Sequence, residues 1–363
     1  MKVVSIVGAR PQFIKAAPVS RALREAHEEI LVHSGQHYDH GMSQVFFDEL
    51  GIPAPDYELA VGSGGHGHQT GEMLGLIEVL LGNLAPDVVL VYGDTNTTLA
   101  GALAAAKSRI PVAHVEAGLR SFNRAMPEEI NRVVTDHISD VLLCPTPAAV
   151  DHLAREGITQ GVHLVGDVML DTARLFAEET DASEALSRFG LAEDGFYLAT
   201  VHRAATSDDA ESLASVIAAF DALDHPVVWA LHPRTRKNLE AFGLDRAVAD
   251  APNVRAIDPL GYGDTIALLR SSAGLLTDSG GMQKEAYFFG VPCVTLREET
   301  EWTETVETGW NVLVGTDRTR IVGAVAAMSR PSARPELYGD GYAAQAVVKI
   351  LESRFGGPSI TGR

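Results

Sequence analysis

Three carboxylates, Asp94, Glu116 and Glu128, fall within one stretch, Val88 to Arg132, and each stands at the end of a regular pattern. An apolar run, Val88 to Tyr92, stops at Gly93-Asp94-Thr95. A second, Val112 to Val115, stops at Glu116-Ala117-Gly118, and Pro127-Glu128-Glu129 opens a helix. One acid at a strand end is commonly a cap or a salt-bridge partner, and Arg120, Arg124 and Arg132 are near enough in sequence to pair with these. Parallel α/β sheets, however, bind ligands at the carboxyl ends of their strands. Carboxylates gathered there and held apart in pKa carry out acid and base steps.

Other residues have types and places suited to an anion. Gly8-Ala9-Arg10-Pro11 follows the first apolar run, with Lys15 about one helical turn on. A glycine turn lets backbone approach a ligand, and a helix start beside an arginine suits a phosphate. The bland alternative is a strand-to-helix turn with surface cations. Thr277-Asp278-Ser279-Gly280-Gly281 lies in a similar place, and Ser279, Gly280 and Gly281 make a diphosphate cradle of amides and hydroxyl. Glu285 follows, where a carboxylate can accept two hydrogen bonds from a ribose diol; the alternative is a capped helix with an exposed glutamate. His202-Arg203 ends the first strand of the second half, and both suit a diphosphate. His232, before Pro233-Arg234, is a weaker case.

Two motifs are set aside. Gly62-Ser63-Gly64-Gly65-His66-Gly67 matches GxGxxG, yet it opens no first βαβ unit and no acidic residue ends a strand about 20 positions later, so no nicotinamide site is expected. His66 and His68, on the same glycine-rich loop, lack convergent carboxylate or thiol partners, so no metal is expected either.

The elements that must position these residues alternate. Strands are expected at Val3 to Val7, Glu29 to His33, Tyr57 to Val61, Val88 to Tyr92, Val112 to Val115, Val141 to Cys144 and Val162 to Val165. Helices begin at Pro11, Met42, Thr70, Pro127 and Pro147, and an alanine-rich one follows Thr95. Gly166 to Phe176 reads as a bridge and Glu178 to Glu184 as a polar surface excursion. The pattern then restarts with strands at Phe196, Val227, Val254, Gly274, Cys293 and Val312, and with helices at Asp209, Arg236, Tyr262, Gly280 and Thr319. A last helix follows from Tyr342. Strand–helix alternation of this kind means parallel sheets. The expected fold is α/β, with two Rossmann-like doubly wound sheets facing across a cleft. The expected domains are 1–166 with the C-terminal helix 342–363, and 167–341.

Composition narrows the classes. The chain has 363 residues, enough for two domains of about 150 residues each. Hydrophobic residues make up 46%, enough for a sizeable core. The net charge of −19 repels nucleic acid and anionic membranes, so any anionic ligand needs a local basic cluster. Cys144 and Cys293 sit in apolar runs and read as buried free thiols in a reducing compartment. Neither a signal peptide nor a membrane-spanning run is apparent, so a cytoplasmic protein is expected.

Taken in order, the motifs are highly specific: Gly8-Ala9-Arg10-Pro11 with Ile14-Lys15, Val91-Tyr92-Gly93-Asp94-Thr95, and His114-Val115-Glu116-Ala117-Gly118-Leu119-Arg120. Pro127-Glu128-Glu129-Ile130-Asn131-Arg132, His202-Arg203, Asp278-Ser279-Gly280-Gly281 and Tyr338-Gly339-Asp340-Gly341 complete them. Over nearly its whole length the chain resembles the non-hydrolysing UDP-N-acetylglucosamine 2-epimerases. The resemblance implies the two-domain, GT-B-like fold of many nucleotide-sugar glycosyltransferases, with the last helix crossing back onto the first domain. It implies a UDP-sugar substrate, no cofactor, and a homodimer. It also implies a reaction: UDP is eliminated across C1 and C2 to give a 2-acetamidoglucal, then adds back as a proton reaches the other face of C2. Asp94, Glu116 and Glu128 are then the acid/base candidates. Arg10, His202, Ser279 and Gly280 hold the diphosphate, His202 counting also among the catalytic residues; Arg203 and Gly281 bind substrate, Glu285 holds the ribose, and Lys15 and Arg132 support the sugar side. Keeping UDP in place demands domain closure, which also excludes water.

This sequence departs from the family pattern at three points. Relatives with a substrate-activation site carry Gln-His-Arg, and a glutamate two residues after His-Arg. Here the segments read Gln36-His37-Tyr38 and His202-Arg203-Ala204-Ala205, without that arginine and glutamate, which leaves activation by substrate an open question. Thr300-Glu301-Trp302-Thr303-Glu304 stands where Thr-Glu-Arg-Pro-Glu is usual. With Met42 to Phe47, it looks closer to relatives acting on UDP-2,3-diacetamido-2,3-dideoxyglucuronate. A glycosyltransferase of the same architecture, which would leave C2 untouched, and a non-catalytic binding module are the competing classes.

Overall fold

A computed structural model describes residues 1–36 and 50–356; within the first helix, the side chain of Arg10 lies outside the description. The helix expected from Met42, the segment Met42 to Phe47, and His37-Tyr38 also lie outside the described residues. Chain contacts divide the protein into Met1–Arg174 with Glu336–Arg363, and Leu175–Pro335.

The first unit is built on a sheet of seven parallel strands in the order β3-β2-β1-β4-β5-β6-β7. These are β1 (Lys2–Val7), β2 (Glu28–His33), β3 (Tyr57–Glu58), β4 (Val88–Tyr92), β5 (Val112–Val115), β6 (Val141–Cys144) and β7 (Val162–Leu164). Its helices are α1 (Arg10–Arg24), α2 (His66–Leu84), α3 (Asn96–Lys107), α4 (Pro127–Ile138), α5 (Pro147–Arg155) and, mostly, α6 (Val168–Glu179). β4 and β5 are buried along their whole length. Strands covered on both faces by helices are continuous apolar runs for this reason. The strand order reverses between β1 and β4, and this topological switch point places the turns after both strands at the ligand-binding edge of the sheet.

The second unit repeats the plan with six parallel strands, β10-β9-β8-β11-β12-β13. They are β8 (Tyr197–Thr200), β9 (Val227–Ala230), β10 (Val254–Ile257), β11 (Gly274–Thr277), β12 (Cys293–Thr295) and β13 (Asn311–Leu313). α7 (Ala182–Phe189), α8 (Ala204–Ser207), α9 (Ala210–Asp221), α10 (Pro233–Phe242), α11 (Asp245–Ala249), α12 (Tyr262–Ser271), α13 (Gly280–Phe289), α14 (Thr303–Glu307) and α15 (Arg318–Ala326) surround it. Here the order reverses between β8 and β11, the strands that lead into His202 and Ser279. The final helix, α16 (Ala343–Phe355), returns to the first unit and packs on α1.

Four expectations are corrected. Gly166 to Glu184 is neither bridge nor surface excursion but α6 and the start of α7, capped by the Asp181 side chain. The single helix expected from Arg236 to Ala249 is two, broken at Gly243 with φ +70°. His66 and His68 belong to the first turn of α2 rather than to a loop. Two short helices, α8 and α14, were not expected.

Candidate functional site

In the first unit the chemistry gathers around Gly93. Its amide donates to the Val115 carbonyl at 3.0 Å, and its φ is +64°. A Cβ there would stand 3.1 Å from Lys15 Nζ and 3.4 Å from Glu116 Oε2, so glycine leaves room for a buried Lys15–Glu116 ion pair. Glu116 itself has φ +72°. An acidic residue in the left-handed region is strained, and such strain persists where surrounding contacts over-determine it, typically at functional sites.

Asp94, half-buried in the next position, pairs with Arg132 Nη2 at 2.6 Å, and its carbonyl accepts from Asn131 at 2.9 Å. Arg132 also binds Glu129 at 2.7 Å. Glu129, rather than the exposed Glu128, ties the helix start to the preceding loop, accepting from the amides of Ser121 and Phe122 at 2.9 Å each. Burial pushes the Glu129 carboxyl up, but the Ser121 bonds, the Arg132 charge and the Phe122 amide outweigh it and hold the group below its ordinary value. The structure therefore joins Lys15 to Glu116 and Arg132 to Asp94, and leaves Glu128 on the outer side of the first turn of α4. Arg120 pairs with Asp136 and Glu156 instead of the three candidates.

The first glycine turn has a packing reason. The amides of Gly8 and Ala9 donate to Gln12 Oε1 at 2.8 and 3.0 Å. A Cβ on Gly8 would fall 1.9 Å from Ser34 Oγ. These amides are occupied within the chain, and Gly8 makes room for Ser34.

In the second unit, fully buried Asp278 accepts from the amides of His202 (2.9 Å) and Arg203 (2.8 Å), fixing the turn after β8. His202 lies with its ring centroid 5.4 Å from that of His232. The Ser279 hydroxyl accepts from Met282 N and so caps α13, whose first amides have no intrahelical acceptor. An anion already stands at this helix start. The Glu301 carboxylate lies 3.7 Å from Arg203 and 3.1 Å from Arg297, and a Cβ on Gly280 would meet its Oε1 at 2.4 Å. Positive helix ends favour such a charge. Glu285 is buried rather than exposed, and the Tyr262 hydroxyl donates to it at 2.9 Å. Cys144 and Cys293 are buried, and burial pushes both thiols up to about 12, which leaves them inert.

His114, which the sequence offered only as part of a motif and with no role of its own, and Asp136, which it did not single out, are fully buried and 2.7 Å apart. The available signal was a histidine inside the apolar strand VAHV. Nothing near Asp136 marks it in the same way.

A family profile described as UDP-N-acetylglucosamine 2-epimerase matches residues 21–352. A Methanococcus maripaludis protein named UDP-N-acetylglucosamine 2-epimerase homolog is 50% identical over 356 residues, covering 97% of this chain and 100% of its own length. The UDP-2,3-diacetamido-2,3-dideoxy-D-glucuronate 2-epimerase of Pseudomonas aeruginosa is 50% identical over 362 residues, 97% of this chain and 99% of its own. The crystal structure of Methanocaldococcus jannaschii UDP-GlcNAc 2-epimerase in complex with UDP-GlcNAc and UDP superposes with a TM-score of 0.89 at 42% identity, covering 97% of this chain and all of the other. The profile spans most of the chain and half of the aligned residues are shared with the first two of these relatives, so the chain belongs to the UDP-N-acetylglucosamine 2-epimerase family and is an epimerase.

Proposed function

We propose that the protein inverts C2 of a UDP-N-acetylhexosamine, converting UDP-GlcNAc to UDP-ManNAc by eliminating UDP and adding it back. The observation that carries this reading is the Glu116 carboxylate, buried beside Lys15, with its backbone at positive φ, near Gly93, the residue that precedes an Arg132-paired Asp94. One of Asp94, Glu116 and Glu128 takes the C2 proton while the C1–O bond breaks, and the electron pair of C2–H becomes the C1–C2 double bond. UDP leaves with the bonding pair of C1–O. In the return step a β-phosphate oxygen bonds to C1 and a proton from a second acid reaches the opposite face of C2. Lys15 and Arg132 set the charge around these carboxylates. In the second unit the start of α13, from Ser279 to Gly281, takes the diphosphate with His202 and Arg203, and Glu285 takes the ribose. Support for an anion site comes from the Glu301 carboxylate already standing at that helix start.

A second substrate has its own support. The 50% identity to the diacetamidoglucuronate enzyme, and Trp302 in place of the usual arginine, favour UDP-2,3-diacetamido-2,3-dideoxyglucuronate with the same chemistry. A homodimer in the cytoplasm, serving polysaccharide biosynthesis, belongs to the same reading; sedimentation of the purified protein as a monomer would remove the dimer from it.

Proton NMR of the purified protein with each nucleotide sugar in D₂O tests the whole. Deuterium should enter C2 of the true substrate as its epimer forms, with a trace of free UDP and glycal. If neither sugar exchanges at C2, the proposal fails.

A further inference from the structure

The two turns that carry Asp94 and Glu116 share one buried anchor. His114, in the middle of β5 and fully buried, directs both ring nitrogens at oxygens. Nε2 lies 2.7 Å from the Gly93 carbonyl and Nδ1 2.7 Å from Asp136 Oδ1. A carbonyl can only accept. Asp136 also accepts from Arg120 Nη1 at 2.6 Å and from the Gly118 amide at 3.1 Å. Burial opposes ionisation of Asp136, but the bonds and charges of His114 and Arg120 outweigh it and hold the carboxyl below its ordinary value. Oxygens thus face both ring nitrogens of His114, from the Gly93 carbonyl on one side and the Asp136 carboxylate on the other. Arg120 continues the chain, gripping Glu156 with two bonds of 2.7 and 2.8 Å. The Arg120 guanidinium thus stands between the Asp136 and Glu156 carboxylates, and its charge makes burial of Asp136 tolerable.

The anchor reaches both turns at once. Gly93 is held from two sides, by the Val115 carbonyl at its N–H and by His114 at its C=O. Asp94 follows directly, and a Cβ on Gly93 would stand 3.4 Å from Glu116 Oε2. On the other side of Glu116, Gly118 at φ +82° gives its N–H to Asp136 and receives His152 Nδ1 at its carbonyl, 3.0 Å away. Between these fixed points lies the strained Glu116. We propose that His114, backed by Asp136, is a positioning residue for proton transfer, setting the Gly93–Asp94 turn beneath Glu116 while Asp136 fixes the far end of the Glu116 turn. The proposal rests on Asp94 and Glu116 being the proton-transfer groups.

His114→Gln tests it, because glutamine offers a single amide donor group in place of two opposed ring nitrogens. A misplacement on the order of 1 Å at reacting groups costs about 10²-fold in rate. The expected result is a kcat about 10²-fold lower, with KM for the nucleotide sugar within about threefold of the wild type, since no ligand-binding group has changed. Leu81→Ala, a core change in α2, serves as a control for lost stability and should keep kcat within about threefold. Asp94→Asn and Glu116→Gln are measured beside them. If those two keep full turnover, the reading of the carboxylates has failed. If they lose turnover while His114→Gln keeps its kcat, the positioning role alone is overturned, as it is if Leu81→Ala loses kcat equally. Should His114→Gln not fold, Asp136→Asn carries the same criterion, and failure of both to fold assigns the network to the scaffold and overturns the proposal.

Discussion

Lys15 and Glu116 are each buried, and their ion pair bridges α1 and the turn after β5. Removing one partner of a buried pair strands the other charge in a poorly solvated place, at a cost of about 3–5 kcal/mol, whereas removing both is far milder. Lys15→Met should therefore lower the melting temperature more than the double variant Lys15→Met/Glu116→Gln does, as read by calorimetry. Equal losses would mean the two groups do not rely on each other. Glu116→Gln alone should keep nucleotide affinity by isothermal titration yet lose turnover by about 10²-fold or more, the usual worth of a positioned acid or base. The pairing illustrates what could not be read from the chain. Both residues stood out by type and place, but they lie 101 positions apart, and only the β1–β4–β5 neighbourhood brings them together.

At the scale of elements, the turns between strands and helices hold the chemistry, and they tolerate little change. Gly118 and Gly157 have the same φ, +82°, but different surroundings. A Cβ on Gly118 would lie 2.4 Å from the Ala149 carbonyl oxygen, whereas on Gly157 it would meet nothing within 4 Å. Gly157→Ala should cost only the backbone strain of about 1 kcal/mol, and Gly118→Ala about 1–3 kcal/mol more as the turn is forced off α5. Chemical denaturation of the two variants makes the comparison, and equal costs would show that packing at Gly118 is slack. The strands themselves were plain from sequence. β4, β5, β6 and β11 begin and end where their apolar runs do, because strands buried on both faces admit nothing else. Helix ends were harder to place. The α10–α11 break rests on one left-handed glycine inside an otherwise helical pattern, and α2 starts at His66, before its apolar periodicity begins. Within the site, strand-end acids were legible from the apolar runs preceding them. The Asp278–His202 and His114–Asp136 bonds were not, because they depend on which segments the topology sets side by side.

At the scale of the whole molecule, the chain leaves its first unit at Arg174 and re-enters it at Glu336, and these passages are bonded to each other inside that unit. Asp167 N–H donates to the Tyr338 carbonyl at 2.9 Å, and Asp171 accepts from the amides of Ala343 and Ala344 at 3.1 and 2.7 Å, capping α16. Burial pushes the Asp171 carboxyl up to about 6; the two amide bonds oppose this, and the charges of Asp167 and Asp340 add to it. A carboxyl whose folded value is raised binds its proton more readily in the native state than in the unfolded chain. Its contribution to stability is therefore present below about pH 4 and declines as pH rises to about 6, by an amount on the order of 2–3 kcal/mol. Asp171→Asn should gain on the wild type by about that much between pH 4 and pH 6.5 in thermal melts; a constant difference across that range would contradict it. The same passages make the second unit an insertion in the first. Synthesis from the N-terminus therefore delivers every strand of both sheets before α16, whose buried face (Ala344, Val347, Leu351) packs on α1. On the ribosome, α1 waits uncovered through the making of Leu175–Pro335, and the inserted unit has its full sequence first. The earliest helix of the chain is thus among the last to be sealed.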